Sequence, residues 1–301
     1  MSVMGEYIGG IEAGGTTFRC AIARHPLDRV AEATIANGNP KETLHRVIEF
    51  FLLHPPISQL GLATFGPVSL DPANPDYGTL LETPKLKWQG INLNHKLAAA
   101  INVPVDIATD VSSAALAEYQ YGQAQGEPVV AYVTVGTGIG GAILVNGDPI
   151  PQLKHSEMGH MLVPRQANDQ FTGNCPYHHD CLEGMAAAPA IAARWQTAPE
   201  SLPSNHPAWD LQAYYLATLC THLLRLIAPS KILLGGGIMN APGLLAKVHH
   251  HIHAQLSGYH TFNPTQLKTI VQLPSLAPDS GLIGALEQAH RRRAMEATEI
   301  V

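Results

Sequence analysis

The 301-residue chain is short of cysteine, of aromatic residues and of charge, and it has no long apolar run. Charged residues make up 14% and aromatics 6%, while hydrophobic residues reach 46%. That is enough apolar material for a sizeable core and too much for a disordered chain. No apolar stretch approaches the roughly 18 residues that a membrane-spanning helix needs. Basic residues do not dominate: 18 Lys+Arg against 24 Asp+Glu give a formal net charge of −6. A mildly acidic chain is expected to bind neither nucleic acid nor an anionic membrane. An anionic ligand must then be held locally, by backbone N–H dipoles, a few cations or a metal. The opening MSVMGEYIGGIEAGG lacks a basic stretch before an apolar one, which argues against a secretory signal. Without an export signal, the four cysteines (Cys20, Cys175, Cys181 and Cys220) point to a reducing cytoplasm rather than to two disulfides. The close pair Cys175 and Cys181 then suggests a metal.

The length corresponds to about two domains, and the pattern along the chain agrees. Residues 7–23, YIGGIEAGGTTFRCAIA, read as strand, glycine turn, strand, and residues 129–145, VVAYVTVGTGIGGAILV, repeat that order. Two related halves, each opening with a hairpin, are expected to form two lobes that meet at a cleft. Helical periodicity marks 41–53, 92–101 (with Asn92 as N-cap), 112–120 (with Ser at the cap), 211–227 and 280–291, the last followed by a charged tail. Apolar strands are expected at 59–65, 103–109 and 231–234, with a long irregular segment from Val68 to Gly90.

Three glycine turns directly follow apolar strands: Gly14-Gly15-Thr16, Gly136-Thr137-Gly138 and Gly235-Gly236-Gly237. Such turns can be ordinary hairpins. They can also bring N–H groups together around phosphate, with positive φ and close backbone approach. None fits GxxxxGK[ST], which excludes a Walker P-loop, and the GxGxxG-like run at 136–141 leads into a strand, which argues against a dinucleotide site. Three turns, two of them with hydroxyl residues, favour nucleotide phosphates. Bulky residues at Gly138 or Gly236 are then expected to weaken nucleotide binding more than binding of any other ligand. Further along, Cys175, His178 and Cys181 stand at spacings of three, with His160 fifteen residues upstream. Two thiolates and two imidazoles make a closed tetrahedral set, which suits structural Zn²⁺ and leaves no open position for chemistry. His179 and His155 are rival ligands.

These stretches resemble the ROK family (repressor, open reading frame, kinase), in its bacterial fructokinase branch. The resemblance rests on IEAGGTTFRCAIA (11–23), ATFGPVSLD (63–71), TPKLKWQGINL (83–93), ATDVSSAALAE (108–118), VTVGTGIGGAI (133–143), EMGHMLVPR (157–165), GNCPYHHDCLEG (173–184) and LLGGGIM (233–239). It implies an α/β fold of the two-lobed actin-like ATPase, ribonuclease H-like kind. The expected lobes are 1–115 plus about 287–301 (first phosphate turn and catalytic Asp) and 116–286 (zinc loop and nucleotide turns). It implies an ATP-dependent fructokinase making fructose 6-phosphate, with Mg²⁺ on the nucleotide and a structural Zn²⁺ on His160, Cys175, His178 and Cys181. Asp110 is by itself as readable as a helix N-cap or turn Asp; the resemblance makes it the catalytic base. Glu12 would lie near Mg²⁺. Sugar binding falls to Glu157, His160, Glu183, Thr109 and Gly66. ATP binding falls to Gly14, Gly15, Thr16, Thr17, Thr137, Gly138, Gly235, Gly236, Gly237 and Met239. Two positions depart from the pattern: Thr17 replaces a lysine and Ser112 an asparagine. A cytoplasmic homodimer is implied. The rival readings are a kinase for glucose, mannose or an N-acetylated amino sugar, a non-catalytic sugar-binding protein, and a sugar-sensing repressor. The last needs a DNA-binding helix-turn-helix, for which the six residues before Tyr7 leave no room.

Overall fold

The hairpin repeat seen in the sequence becomes two five-stranded sheets of one topology. The structure, a computed structural model, describes residues 6–83, 85–150, 156–259 and 262–299. Tyr7–Ala13 (β1) and Thr17–His25 (β2) pair antiparallel, Asp28–Ala36 (β3) extends β2 antiparallel, and Ile57–Thr64 (β4) and Val105–Thr109 (β5) add parallel on the other flank. The order is β3-β2-β1-β4-β5. Val129–Val135 (β6) and Ile139–Val145 (β7) open the second sheet. Asp148–Pro149 (β8) follows antiparallel, then Lys231–Gly235 (β9) and Val271–Gln272 (β10) parallel, in the order β10-β9-β6-β7-β8. The fold class is α/β.

The central strands are nearly continuous apolar runs because helices cover both faces of the sheet. β3, DRVAEATIA, alternates exposed with half-buried positions, as an edge strand does, and its polarity hid it from the sequence reading. In helix α1 (Pro40–Leu53), capped by Asn39, the buried positions Thr43, Leu44, Val47, Phe50 and Phe51 recur at helical spacing. Helix α2 (Leu93–Ile101) is capped by Asn92, whose side chain accepts from the His95 N–H, as expected. Helix α3 (Asp110–Tyr121) starts two residues before the expected Ser112. Thr109 Oγ1 accepts the Ser112 N–H at 3.2 Å and supplies the cap, while Asp110 is the first helical residue.

Two units divide the chain. One holds the described residues up to Ala117 together with those from Pro278 onward; the other is Glu118–Ala277. In the first, Ile11, Phe18, Leu60, Leu62 and Leu97 fill one face of the sheet. Helix α9 (Ser280–Glu299) covers the other, with Leu282, Leu286 and Ala289 against Ile8 and Ala21. Gly61 of β4 lies so close to α9 that a Cβ would strike the Ala285 carbonyl. The expected charged tail after residue 291 is the second half of this helix, because Arg291–Glu287 (2.9 Å) and Arg292–Glu296 (3.0 Å) form i,i+4 pairs along it. The second unit packs Val133, Ile232 and Leu234 under α6 (Ala208–Leu226) and α7 (Leu244–Leu256), with Leu216, Leu219, Val248 and Ile252 in the same core. Leu182–Ala186 (α4), Ala188–Trp195 (α5) and Pro264–Ile270 (α8) complete it. Among the described residues no helix is long and apolar enough to cross a membrane.

Candidate active site and metal centre

Register places the first group of candidates. Ala13 faces Thr64, and Thr64 faces Thr109. The chain therefore leaves three neighbouring strands at one sheet edge: through Gly14 after β1, Phe65-Gly66 after β4, and Asp110 after β5. The carboxyl ends of parallel strands are where α/β sheets take up ligands. The first glycine turn closes with Gly14 N–H to the Thr17 carbonyl at 2.8 Å. Asn37 braces it from outside, its Nδ2 donating to the carbonyls of Gly14 (2.9 Å) and Gly15 (3.2 Å) and its Oδ1 accepting from Trp88 Nε1 (2.9 Å). Thr16 is exposed, and Thr17 opens β2. The Gly66–Pro67 peptide is cis. Asp110 Oδ1 accepts the Val111 N–H at 2.9 Å, at the start of α3 where backbone dipoles favour a carboxylate. Thr109 is buried, and its hydroxyl donates to Ser112 Oγ at 2.8 Å.

Glu12 stands opposite Arg19 across the hairpin, with Arg19 Nη1 donating to Glu12 Oε2 at 3.2 Å. The same guanidinium pairs with Asp279, which Arg29 also holds at 2.7 Å. Burial pushes the Glu12 carboxyl up to about 7; Arg19 pulls it down, and the charge of Asp110 adds to the rise.

The second unit repeats the edge arrangement. Thr134 faces Gly235 across β6 and β9, so the second and third glycine turns leave adjacent strands. Gly136 N–H closes the second turn onto the Gly138 carbonyl at 2.9 Å, with Thr137 exposed between them. Of the glycines in the three turns, Gly236 alone has positive φ, +88°, and a side chain there would drive into the Val135 backbone. At Gly138 close approach decides instead: a Cβ would sit 2.7 Å from Glu183 Oε2. Met239 is buried in the 3-10 turn Gly237–Asn240. Glu183, on α4, accepts the Ile139 N–H at 2.8 Å. Glu157 is exposed at the start of the 3-10 turn Met158–His160.

His160, Cys175, His178 and Cys181 converge, their four donor atoms all within 4.8 Å of one another. His160 Nδ1 lies 3.7 Å from Cys175 Sγ and 3.5 Å from Cys181 Sγ, and His178 Nδ1 lies 3.8 Å from Cys175 Sγ. Zinc bonds of about 2.0 Å to nitrogen and about 2.3 Å to sulfur set tetrahedral N···S edges of ~3.5 Å. The donor set and its spacing thus fit one metal ion. Burial pushes the Cys181 thiol up to about 11, with Cys175 beside it adding to the shift; a bound cation would favour the thiolate. His179 is turned away into backbone work: it adopts φ +55°, and its N–H donates to the Cys175 carbonyl at 3.0 Å. His155 lies outside the described residues. The Nε2 of His160, on the far side of its ring, is 4.0 Å from Glu183 Oε1, so metal cluster and carboxylate share one imidazole.

The sequence profile of the ROK family matches residues 8–292. The chain belongs to the ROK family. It is 37% identical over 289 residues to a fructokinase of Zymomonas mobilis, covering 93% of this chain and 95% of that one. It is 36% identical over 274 residues to a fructokinase of Lactococcus lactis, covering 91% and 93%. A ROK hexokinase structure from Thermus thermophilus superposes with a TM-score of 0.76 at 22% identity, covering 95% of this chain and 98% of that one, which shows the shared actin-like fold.

Within this ROK fold the sequence reading left several residues at the site unassigned. Asn37, Trp88 and Lys85 surround the first glycine turn, and Arg19 and Asp279 lock its hairpin. Trp88 and Lys85 lie in the quoted TPKLKWQGINL motif, which was visible as a pattern and carried no role for either residue.

Proposed function

We propose that the protein is an ATP-dependent fructokinase that converts D-fructose to fructose 6-phosphate. The observation that carries this reading is 36–37% identity, over 91–93% of this chain, with proteins named fructokinase. In this reading the residues divide the work between them. Asp110, at the end of β5 and the start of α3, accepts the proton of the sugar 6-hydroxyl as that oxygen attacks the γ-phosphorus of ATP. Glu157, His160, Glu183, Thr109 and Gly66 hold the sugar. The N–H groups of Gly14–Thr17, Thr137, Gly138 and Gly235–Gly237, with Met239, hold the nucleotide. Mg²⁺ would neutralise charge on the phosphates when bound, and Glu12 would orient its water shell. The two units take the parts of the two lobes, with the first phosphate turn and Asp110 in one and the zinc loop and nucleotide turns in the other.

Zinc on His160, Cys175, His178 and Cys181 would be structural, since four protein ligands leave no open position. It would fix His160 through Nδ1 and leave Nε2 facing Glu183 and the sugar. None of the four cysteines forms a disulfide, which supports a reducing, cytoplasmic location. A homodimer is the proposed assembly.

A panel of fructose, glucose, mannose and N-acetylated amino sugars, assayed by ADP release with ATP, tests the activity. Fructose should give the highest kcat/KM, with fructose 6-phosphate as product. A tenfold preference for another hexose would replace fructose in this scheme, and no ADP release from any sugar would leave a non-catalytic sugar-binding protein.

A further inference from the structure

Lys85 is a charged group that the scheme above leaves unused. It lies just before the 3-10 turn Leu86–Trp88 and is half-buried. Its ammonium rests against the first glycine turn: a Cβ placed on Gly15 would be 3.2 Å from Nζ. The same nitrogen lies 4.1 Å from the centre of the Phe65 ring, and the charge of Asp110 acts on it. Among the described residues it makes no hydrogen bond and no ion pair. Burial lowers its pKa, as expected of an ammonium partly stripped of water and given no acceptor in return.

The turn it faces is also unfinished. Gly14 N–H is used internally, while the N–H groups of Gly15 and Thr16 have no acceptor among the described residues. The turn carries no cation of its own, and the nearby Arg19 is committed to Glu12 and Asp279. An ammonium against a turn whose Gly15 and Thr16 N–H groups have no acceptor among the described residues makes an anion site. Gly14, Phe65 and Asp110 leave neighbouring strand ends, and the charge of Asp110 reaches Lys85, so in the kinase reading this site lies at the reacting end of the phosphate chain.

We infer that Lys85 binds the phosphoryl group in transfer, its ammonium contacting the γ-phosphate oxygens alongside the Asp110 carboxylate. This rests on the ATP-dependent kinase reading given above. In the step, the sugar O6–P bond forms, the bond from γ-phosphorus to the ADP oxygen breaks, the electron pair leaves with ADP, and the sugar proton goes to Asp110. Lys85 stays protonated throughout. A compact ammonium on a flexible stem can follow the phosphoryl group from one oxygen to the other, and the Phe65 ring holds that ammonium at the turn.

The test is steady-state kinetics of the full chain between pH 6 and 9, with the best-turned-over hexose. Lys85→Met should lower kcat at least about 30-fold at every pH while the sugar KM changes less than about threefold. Lys85→Gln, a second variant of similar length, should do the same with an unchanged Tm, and Lys87→Ala, on the exposed neighbour, should match wild type. A kcat within threefold of wild type overturns the proposal. So does a loss that is cured by raising the pH, since Lys85 would then only be holding Asp110 ionised. If the wild-type chain turns over no hexose, the kinase reading has failed by itself. Calorimetric titration with inorganic tripolyphosphate then decides for Lys85: about tenfold weaker binding by Lys85→Met supports it, and equal affinity overturns it.

Discussion

The two sheets share strand order and direction but finish their strand ends with opposite chemistry. In the first unit the edge formed by β1, β4 and β5 carries ionisable groups: Glu12, Asp110 and Lys85, with Arg19 and Asp279 behind them. In the second, the edge formed by β6 and β9 carries glycine, and the ionisable groups gather instead around His160, Cys175, His178 and Cys181. One scaffold thus offers charges that can take up a proton or meet a phosphoryl group. Its duplicate offers uncharged N–H groups and a metal knot. A variant at Asp110 should therefore change rate at constant affinity, and variants at the four metal ligands should change stability and affinity together.

The largest effect should come from the first unit. Asp110→Asn keeps the shape and the helix-start position but removes the basicity, and kcat should fall roughly 10²–10⁴-fold. Fructose binding, measured by calorimetry, should stay within about threefold, because the amide still fits the site. Turnover close to wild type would remove Asp110 from the role of base.

Next come the metal ligands. One zinc per chain is expected by elemental analysis. Chelation or Cys175→Ser should cost on the order of 5 kcal/mol, which for a unit of this size lowers Tm by roughly 10–20 °C. Fructose binding should weaken in parallel, since His160 and Glu183 are held at the same knot, while ATP binding should be less affected. His178→Ala should release the metal and His179→Ala should keep it. The reverse pattern would overturn the ligand set.

Gly236 and Gly138 sharpen the comparison within the second unit. The sequence treats them alike, as turn glycines at phosphate. In the structure Gly236→Ala meets the Val135 backbone at positive φ, so it should destabilise by about 1–3 kcal/mol in chemical denaturation. Gly138→Ala meets the Glu183 carboxylate, so the fructose KM should rise along with that for ATP, with Tm little changed. Equal loss of stability in both variants would show that the two turns do the same structural job.

What the sequence made legible follows from the range of the forces involved. Hairpins, the Asn92 cap and the Cys-x2-His-x2-Cys spacing are local, and each appears in the structure where it was read. β3 escaped because an edge strand alternates like a surface, and α7, LLAKVHHHIHAQL, because its histidines mask the apolar stripe of Leu244, Val248 and Ile252. The neighbours of Gly15 were out of reach for another reason. Lys85 and Asn37 arrive there through tertiary packing, which neither periodicity nor spacing encodes.

The smallest effect concerns Glu12, and pH gives it a sign. Its carboxyl is raised to about 7 in the fold, chiefly by burial, against 4.5 for the free group. A raised acid favours folding below the unfolded value, and that contribution fades as pH climbs through the folded value. At pH 5 the group is neutral in the native state and costs little. By pH 8 its buried charge works against the fold, partly offset by Arg19 at 3.2 Å. Glu12→Gln removes that charge, so the variant should gain stability over wild type as pH rises, by on the order of 1–3 kcal/mol between pH 5 and 8. Thermal melts across that range, without nucleotide or Mg²⁺, would show the two Tm curves diverging above pH 6. Parallel curves would mean that Arg19 keeps Glu12 ionised throughout. The first unit would then hold its carboxylates charged before any ligand binds.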